Sequence, residues 1–441
     1  MSELPKGWTS THLGSLSRLV MGQAPSGKDC NMDGVGTVFV KAGEFGKSKP
    51  IIREWTTSPL KFAQKGDILI CVVGATAGKI NLAIDCSIGR SVAAIRPATE
   101  IQQKYIYYFL AGQVENLRKG STGSAQGVIS KPDLVGIAIP LAPATEQIRI
   151  AQKLDELLAQ IDTLKARIDA IPTRLKRFRQ SVLAAAVSGR LTEEWRGGKE
   201  YCAESLMLAD LVDNSLVGLV RSSAEQSESA DQRVPYLKMN NIGNDWGVSL
   251  DLLVYVSVSE AETERYSLKD GDWLFNTRNS QELVGKSCVW RGGSRPFVFN
   301  NNILRARFSG RTAPDFIEIW FRSPSGREAL EKVKSATTSV AAVYQKALMS
   351  QMVPLPEIAE QTEIVRRVEQ LFAFADQLES KVASAKSRID HLTQSILAKA
   401  FRGELVPQDP NDEPASVLLE RIKAQRAAAP KAKRGRKVST R

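Results

Sequence analysis

Apolar residues recur at alternating intervals of four and three in two separate stretches of the chain, the first starting at Ile150 and the second at Ile364. A 3.5-residue apolar period over more than about four heptads predicts a coiled-coil seam, because an ordinary core helix is shorter and carries a wider apolar stripe. The predicted seam positions are Ile150, Leu154, Leu157, Ile161, Leu164, Ile168, Leu175, Phe178, Ile364, Val368, Leu371, Leu378, Val382, Ile389, Leu392 and Ile396. Pro172 lies inside the first run and predicts a kink there, because proline lacks the N–H that an unbroken helix needs.

The two helical stretches are copies of one another. Displacing the sequence by 214 positions lays 140–191 over 354–405 without a gap, and 17 of the 52 aligned residues are identical. Upstream the similarity is fainter and gapped, as between Gly66–Leu69 and Gly271–Leu274. The chain therefore repeats one plan, a globular segment followed by a helix, and its two helices can pair in antiparallel fashion.

The globular segments combine strand and helix signals. Apolar runs such as 37–40 and 68–73 lie between turns rich in Gly, Asn and Asp, and helical stretches follow at 105–117 and 316–333. This mixture predicts α/β (mixed α+β) domains in two copies, separated by two long helices that pair as an antiparallel coiled coil. The predicted boundaries are 1–143 for the first domain, 144–190 for the first helix, 191–353 for the second domain, 354–405 for the second helix, and 406–441 for a short helix with a basic disordered tail.

Composition narrows the class of protein. The 441 residues carry a formal net charge of +12, but nine basic residues and no acidic ones lie in 421–441, so the remainder is close to neutral. The segments 1–140 and 233–353 each keep a small basic excess, which is compatible with nucleic acid but does not require it. Five scattered cysteines without a C-x-x-C pair, and no signal-peptide or membrane-length apolar run, predict a cytoplasmic protein without disulfides or structural zinc.

Motifs for catalysis are incomplete. Gly285-Lys286-Ser287 resembles the end of a Walker A loop, but Ser280 stands where the first glycine is required. The histidines are His12 and His391, and neither neighbours a nucleophile. No dinucleotide-binding glycine motif follows a strand, and no Asn/Asp-Pro-Pro-aromatic motif for amino methylation occurs. The sequence therefore predicts a chain that is not catalytic alone and holds no metal.

Side chains that can hydrogen-bond to base edges and phosphates occur in both globular segments. In the first segment they are Lys41, Lys47, Lys49, Thr76, Lys79, Arg90, Lys119, Ser121, Thr122, Ser124 and Gln126. In the second they are Lys238, Asn240, Asn241, Arg278, Asn279, Ser280, Lys286, Asn300, Asn301, Asn302, Thr337, Thr338 and Ser339. Each alone is open to a solvated or turn-capping role. Their occurrence in equivalent places of the repeat favours two DNA-binding surfaces.

The strongest family signal lies in the repeated helices. Its motifs are Pro140-Leu141-Ala142-Pro143 with Glu146-Gln147, Leu175 to Leu183 and Gly189 to Trp195, then Glu360-Gln361, Ile364 to Phe372 and Leu392 to Leu405, with the opening Leu4-Pro5-Lys6-Gly7-Trp8. In these motifs the chain resembles the specificity subunit (HsdS) of type I restriction-modification systems, and the enteric type IA class in particular. The resemblance spans nearly the whole chain, although in the two variable segments it covers only the scaffold.

The resemblance implies two target-recognition domains, each reading one half of a split, asymmetric site in double-stranded DNA. It implies docking of two methyltransferase (HsdM-type) subunits, which methylate adenine N6, and of restriction (HsdR-type) subunits. S-adenosylmethionine, ATP and Mg²⁺ are then expected on those partners, with no cofactor in this chain. The alternative from another class is a non-catalytic coiled-coil adaptor whose two domains bind proteins rather than DNA.

Overall fold

The structure, a computed structural model, describes residues 4–120, 128–231, 233–243, 247–293, 295–336 and 340–428. The chain forms two compact units, which we call the first unit (Met1–Ile168 with Ser384–Arg441) and the second unit (Asp169–Ala383). Each unit therefore combines one globular domain with a segment from each long helical stretch. The basic tail predicted to follow the last helix lies outside the described residues.

The secondary structure follows the predicted order of domain, helix, domain and helix. The first domain contains strands β1 (Thr9–His12), β2 (Ser17–Met21), β3 (Cys30–Asn31), β4 (Thr37–Val40), β5 (Trp55–Thr56), β6 (Phe62–Ala63), β7 (Ile68–Cys71), β8 (Ile80–Leu82), β9 (Cys86–Ile88), β10 (Val92–Pro97) and β11 (Ala138–Leu141), and helices α1 (Leu13–Leu16), α2 (Gln103–Gly120) and α3 (Lys131–Val135). Helices α4 (Ala144–Asp169) and α5 (Ile171–Val187) follow it.

The second domain and the last helices complete the chain. The strands are β12 (Ala203–Met207), β13 (Val212–Val217), β14 (Gln226–Ser227), β15 (Val234–Leu237), β16 (Val254–Val256), β17 (Trp273–Asn276), β18 (Arg278–Asn279), β19 (Ser287–Val289), β20 (Val298–Phe299), β21 (Ile303–Phe308), β22 (Ser335–Ala336), β23 (Ala341–Ala342) and β24 (Met352–Pro356). The helices are α6 (Leu208–Leu211), α7 (Glu260–Tyr266), α8 (Pro314–Arg322), α9 (Pro324–Val333), α10 (Gln345–Met349), α11 (Ile358–Ala400) and α12 (Ala415–Ala428).

The first domain contains two larger sheets, and β1 pairs with β11 in a separate two-stranded sheet. One has the antiparallel order β2-β10-β7-β8, and the other has the order β3-β5-β4-β9-β6, in which β4 and β9 run parallel. Strand β7 is buried on both faces because its side chains alternate between two cores. Ile68 and Ile70 pack with α2, whereas Leu69 packs towards the second sheet. Asp67, buried just before β7, accepts hydrogen bonds of 2.8 and 2.7 Å from the Arg96 guanidinium of β10.

The second domain repeats this plan. Its sheets have the orders β13-β21-β17-β19 and β14-β16-β15-β20, with β15 and β20 parallel. Asp272 accepts hydrogen bonds of 2.6 and 3.0 Å from the Arg307 guanidinium, as Asp67 does from Arg96. The predicted α/β class and the internal repeat are thus confirmed, and the similarity between 66–69 and 271–274 reflects the same buried ion pair at the start of a central strand.

The helices pair in antiparallel fashion within each unit. In the first unit, Arg149 pairs with Asp412 (2.6 Å) and Lys165 with Asp390 (2.6 Å), so the partner moves backwards along the chain as α4 advances. In the second unit, Arg179 pairs with Asp376 (2.5 Å), and Arg196, beyond the end of α5, reaches Glu360 near the start of α11 (2.6 Å). The predicted antiparallel pairing is therefore confirmed. No helix in the described ranges is both long enough and apolar enough to span a membrane.

The helical stretch predicted over 144–190 is interrupted at Ala170, close to the kink that Pro172 predicts. Helix α4 ends at Asp169 and α5 begins at Ile171, with Pro172 in its first turn. The first N–H groups of a helix have no intrahelical acceptor, so proline costs least there and favours a new start over a continued helix. The repeat has Lys386 at the aligned position, and α11 runs unbroken from Ile358 to Ala400.

The seam is buried unevenly. Leu154 and Ile364 are fully buried because domain cores pack against them, together with the partner helix. Leu164 and Leu392, which share the same 4,3 spacing, keep 46% and 48% of their surface exposed. Helix pairing alone covers only one side of a seam side chain. The sequence period therefore correctly predicts which face is apolar but does not predict its burial at these two positions.

A buried carboxylate joins three parts of the first unit. Glu146, in the first turn of α4, accepts hydrogen bonds from Trp8 Nε1 (2.9 Å) and from Gln408 Nε2 (2.7 Å). Burial raises the pKa of Glu146, and the two neutral donors only partly oppose this rise. In the repeat, the corresponding Glu360 instead accepts hydrogen bonds from the Arg196 guanidinium and the Thr192 hydroxyl.

The raised pKa of Glu146 makes the stability of the first unit depend on pH. A carboxyl with a folded pKa above its unfolded value is most favourable when protonated, so its contribution declines as the pH rises from about 4 through the folded pKa. We expect the difference in unfolding free energy between the wild type and Glu146→Gln to fall over this range, and Glu146→Ala to cost about 1–3 kcal/mol at pH 7. Urea unfolding at pH 4.5, 6 and 7.5 measures both; a difference that grows with pH would contradict the assignment.

Candidate nucleic-acid interface

In the second domain, loops from distant parts of the sequence meet at one end of the two sheets. Asn300 N donates to Leu237 O (2.9 Å), and Thr277 N donates to Asn302 O (2.8 Å). Leu219 forms a parallel bridge with Asn300. The loops after β13, β15 and β17 and the β20–β21 turn therefore lie side by side. We call this group of loops the loop edge of the second domain.

The first domain has an equivalent loop edge. Gly89 N donates to Val40 O (3.0 Å), and Val72 N donates to Ser91 O (2.9 Å). These bonds occupy the same places in the strand order as those of the second domain, so the loops after β2, β4 and β7 and the β9–β10 turn form the same edge. Among the first-domain candidates, the fold brings Lys41, Thr76, Lys79 and Arg90 to this edge. Lys47 and Lys49 instead flank Ser48, whose carbonyl accepts from Leu82 N (2.8 Å) at the far end of β8.

Three pairs of candidates occupy matching positions on the two edges. Lys41 and Lys238 each follow the parallel strand of the second sheet and begin a single turn of 3-10 helix. Arg90 and Asn301 lie at the same position of the matching turns, and both are exposed. Lys79 and Lys286 each follow a glycine in the left-handed region, Gly78 (φ 83°) and Gly285 (φ 81°). Two of the three matched positions thus keep a lysine, and the turn position carries arginine in one domain and asparagine in the other.

Among the first-domain candidates, Lys47, Lys49, Lys79 and Arg90 are exposed. Lys41 forms an ion pair with Glu54, whose hydrogen bond raises the pKa of the lysine, and Lys47 pairs with Asp162 at 2.8 Å. Both lysines therefore already have an acidic partner within the chain. Thr76 is half-buried. The side chain of Lys119 and the whole of Ser121, Thr122, Ser124 and Gln126 lie outside the described residues.

In the second domain, the exposed candidates are Asn240, Arg278, Ser280 and Asn301. Four others are half-buried, namely Lys238, Asn279, Lys286 and Asn302. Lys238 Nζ donates to Gln226 Oε1 (3.0 Å), and Lys286 Nζ donates to Ile242 O (3.4 Å). Thr337, Thr338 and Ser339 lie outside the described residues.

Two candidates need correction because their side chains are buried. Asn241 is 2% exposed; its amide accepts from Lys238 N (2.8 Å) and donates to Ser249 O (3.0 Å), so it caps a turn. Asn300 is 8% exposed, and its side chain accepts from Asn302 N (3.2 Å). A short amide side chain satisfies turn backbone and base edges equally well, so residue type alone does not separate the two roles.

Sequence reasoning missed two apolar residues on the loop edge of the second domain. A cavity of about 460 Å³ beside Arg278 and Asn301 is lined in part by Val220 and Tyr344, which are 69% and 59% exposed. Exposed apolar side chains of this kind can contact a thymine methyl or a base face. The available signal was an aromatic residue two positions after the apolar strand β23 (Ala341–Ala342), which the choice of hydrogen-bonding side chains does not include.

The described side chains are suited to binding a ligand rather than to catalysing a reaction. Within the part of the chain that the structure describes, no group of three or more His, Cys, Asp or Glu side chains is arranged to hold a metal ion. Burial raises the pKa of the Cys71 thiol to about 11 and that of the Cys86 thiol to about 12, so neither is an activated nucleophile. The polar groups on the two loop edges are hydrogen-bond donors and acceptors, which can recognise a ligand without reacting with it.

Comparison with known proteins agrees with this picture. A family described as "Type I restriction modification DNA specificity domain" matches residues 5–173. The chain is 34% identical to the type I restriction enzyme EcoKI specificity subunit of Escherichia coli (strain K12) and 33% identical to the StySPI specificity subunit of Salmonella potsdam. Each match covers 99% of this chain and 99% of the relative.

Solved structures share the fold. One chain, from a study of "complex assembly" and "conformational transition of the type I R-M system", has a TM-score of 0.73 at 18% identity, covering 92% of this chain and 100% of its own. The HsdS subunit from Thermoanaerobacter tengcongensis has a TM-score of 0.60 at 18% identity, covering 91% and 98%. The full-length identity to curated relatives shows the family: this chain belongs to the specificity subunits of type I restriction-modification systems, which are not catalytic themselves.

Proposed function

We propose that this specificity subunit reads a two-part, asymmetric target in double-stranded DNA, one half through each loop edge. One observation carries the proposal: the two domains share strand order and loop-edge hydrogen bonds, and two matched positions keep a lysine. The matched turn position, however, carries Arg90 in one domain and Asn301 in the other. A common scaffold with divergent loops is what two independent readers of different sequences require. An adaptor for one repeated protein ligand would instead need similar loops.

The side chains of the loop edges suit both parts of DNA recognition. Arg278 and Asn301 can form hydrogen bonds to base edges in the major groove, and Lys79 can contact phosphates. Lys41 and Lys47 already pair with Glu54 and Asp162, so DNA contact by either lysine would first require breaking an ion pair. We therefore rank Lys79, Arg90 and Arg278 above these two lysines as DNA contacts.

The paired helices are the proposed docking surface for two methyltransferase subunits, and the restriction subunits join that complex. Support comes from apolar side chains left exposed on these helices: Phe374 is 55% exposed, and Leu164 and Leu392 are nearly as open. Exposed apolar surface on a coiled coil fits contact with further helices. Because the chain lacks a Walker A loop and a methylation motif, we assign S-adenosylmethionine, ATP and Mg²⁺ to the partner subunits.

A gel-shift titration with the methyltransferase partner tests the proposal against the protein adaptor. Specific binding of duplex DNA that weakens steeply between about 50 and 200 mM salt supports DNA reading, because phosphate contacts release counterions. Association with the methyltransferase but with no preference for any DNA sequence, at any salt concentration, would favour the adaptor.

Arg278 provides a residue-level prediction. Removing a bidentate donor to a base costs about 1–3 kcal/mol, so we expect Arg278→Ala to weaken binding of the target by about 5- to 150-fold while leaving binding of unrelated DNA nearly unchanged. Arg291→Ala is the matched control, because Arg291 is half-exposed beyond β19 and pairs with Asp315 (2.5 Å) away from the loop edge. Equal effects of the two substitutions would show that Arg278 contributes only charge.

A further inference from the structure

The second unit has an open cavity where its domain adjoins the start of α11. It has a volume of about 630 Å³ and is formed by β12, β24 and the first turn of α11. Cys202, Glu204, Arg311 and Ile358 line it, and Ile358 is 45% exposed. Arg311 Nη2 donates to Glu204 Oε2 at 2.8 Å, and both side chains are more than half exposed.

The corresponding place in the first unit can be located by register. Thr9 pairs with Leu141 as Glu204 pairs with Leu355 in the repeat. Ala98 N donates to Leu16 O (2.8 Å) as Ser309 N donates to Leu211 O (2.9 Å), which makes Glu100 the counterpart of Arg311.

In the first unit this place is filled by the chain's own segment 412–428. Asp412 enters it by pairing with Arg149 (2.6 Å), and Arg421 of α12 pairs with Glu100 (2.8 Å). Ala415 N donates to Gly7 O at 2.8 Å. The apolar face of α12 is buried in the first-domain core; it comprises Ala415, Leu418, Leu419 and Ile422. A helix with an i, i+3, i+4, i+7 apolar face is thus the kind of element this scaffold accepts.

The two charges that hold segment 412–428 are reversed in the second unit. Arg149 is replaced by Glu363, one helical turn beyond the cavity residue Ala359, and Glu100 is replaced by Arg311. Glu363 is ionised, because the Arg366 and Arg367 guanidinium groups hold its pKa at about 2. A segment with the charges of 412–428 would therefore meet like charges at both contacts. A second copy of this chain's own C-terminal helix is a poor occupant of this cavity.

We propose that the cavity of the second unit binds an amphipathic helix of another protein whose two anchoring charges are opposite to those of segment 412–428. The occupant carries a basic residue facing Glu363 and, nine positions later, an acidic residue facing Arg311, with small and aliphatic residues between them. Because α12 fills the equivalent place in the first unit, each chain binds one such helix. The proposal does not depend on DNA reading.

Synthetic peptides test this on the full-length chain. The probe is a fluorescein-labelled 410–428 peptide carrying Asp412→Lys and Arg421→Glu, and the matched control is the unchanged 410–428 peptide. We expect the charge-reversed peptide to bind at least tenfold more tightly by fluorescence anisotropy, and Arg311→Glu combined with Glu363→Arg in the protein to reverse that preference. Circular dichroism of the variant checks that its fold is retained.

Cys202 reports which unit the peptide occupies. This thiol is exposed and lines the cavity, whereas Cys71, Cys86 and Cys288 are buried. Bound charge-reversed peptide should slow alkylation of Cys202 at least fivefold. Equal binding of both peptides, or no protection of Cys202, would overturn the proposal. Tighter binding of the unchanged peptide with protection of Cys202 would also overturn it, and would identify a second copy of the chain as the occupant.

Discussion

Exchanging residues 1–143 for the corresponding segment of a relative with a different target will change one half of the methylated DNA motif and leave the other half intact. The first domain has its own two sheets and its own loop edge, and the contacts that order that edge are made within the domain. Reading by independent domains requires that the half-site follow the exchanged domain. Sequencing of genomic DNA from cells that carry the chimera and the methyltransferase gives the motif directly.

The structure sets the junctions of this exchange. Strand β1 pairs with β11 over Thr9–Leu141, so a junction before α4 keeps that pair together. Helix α12 of the recipient packs on the exchanged domain through Glu100 and Arg421, so the donor should carry an acidic residue at position 100. The reciprocal exchange of 200–357, which keeps β12 paired with β24, should change only the other half. If either chimera altered both halves, the model of two independent readers would be wrong.

The helical seam shows how far sequence reasoning reaches. The 4,3 spacing predicted the two helical stretches and their apolar face, because the period of a helix is a local property. It did not predict the burial of each position, since that depends on where the domain core packs: Leu154 is buried under it and Leu164 is not. The break before Pro172 was predicted as a kink because one sequence cannot show whether neighbouring contacts will restore a continuous helix.

The candidate interface was likewise only partly predictable from the sequence. Residue type found many of the side chains that gather on the loop edges, because base edges and phosphates require polar donors on loops. It also selected Asn241 and Asn300, because an asparagine that caps a turn has the same chemistry as one that contacts a base. It missed Tyr344 and Val220, whose exposure follows from long-range contacts among β18, β23 and the β20–β21 turn. In each of these cases, contacts with residues far away in the sequence determine whether the side chain is buried or exposed.

Because burial differs along the seam, the same Leu→Asp substitution should be strongly destabilising at one seam position and nearly neutral at another. Leu154→Asp removes a fully buried side chain and places a carboxylate in the core of the first unit, so it should cost at least about 3–5 kcal/mol of unfolding free energy. Leu164→Asp lies on the same helix and on the same predicted seam, but 46% of Leu164 is already exposed, so its cost should stay within about 1 kcal/mol.

Urea unfolding followed by circular dichroism measures the difference, because the midpoint shifts with stability while the slope reports the surface exposed. A uniform coiled coil would make the two leucines equivalent, and similar losses from both substitutions would support that simpler picture. A large loss from Leu154→Asp alone would show that the domain core, rather than the pairing of α4 with α11, stabilises this part of the seam. The regular apolar spacing would then identify only the face that the helix presents. The domain packed on that face would determine how much each position contributes to the free energy of unfolding.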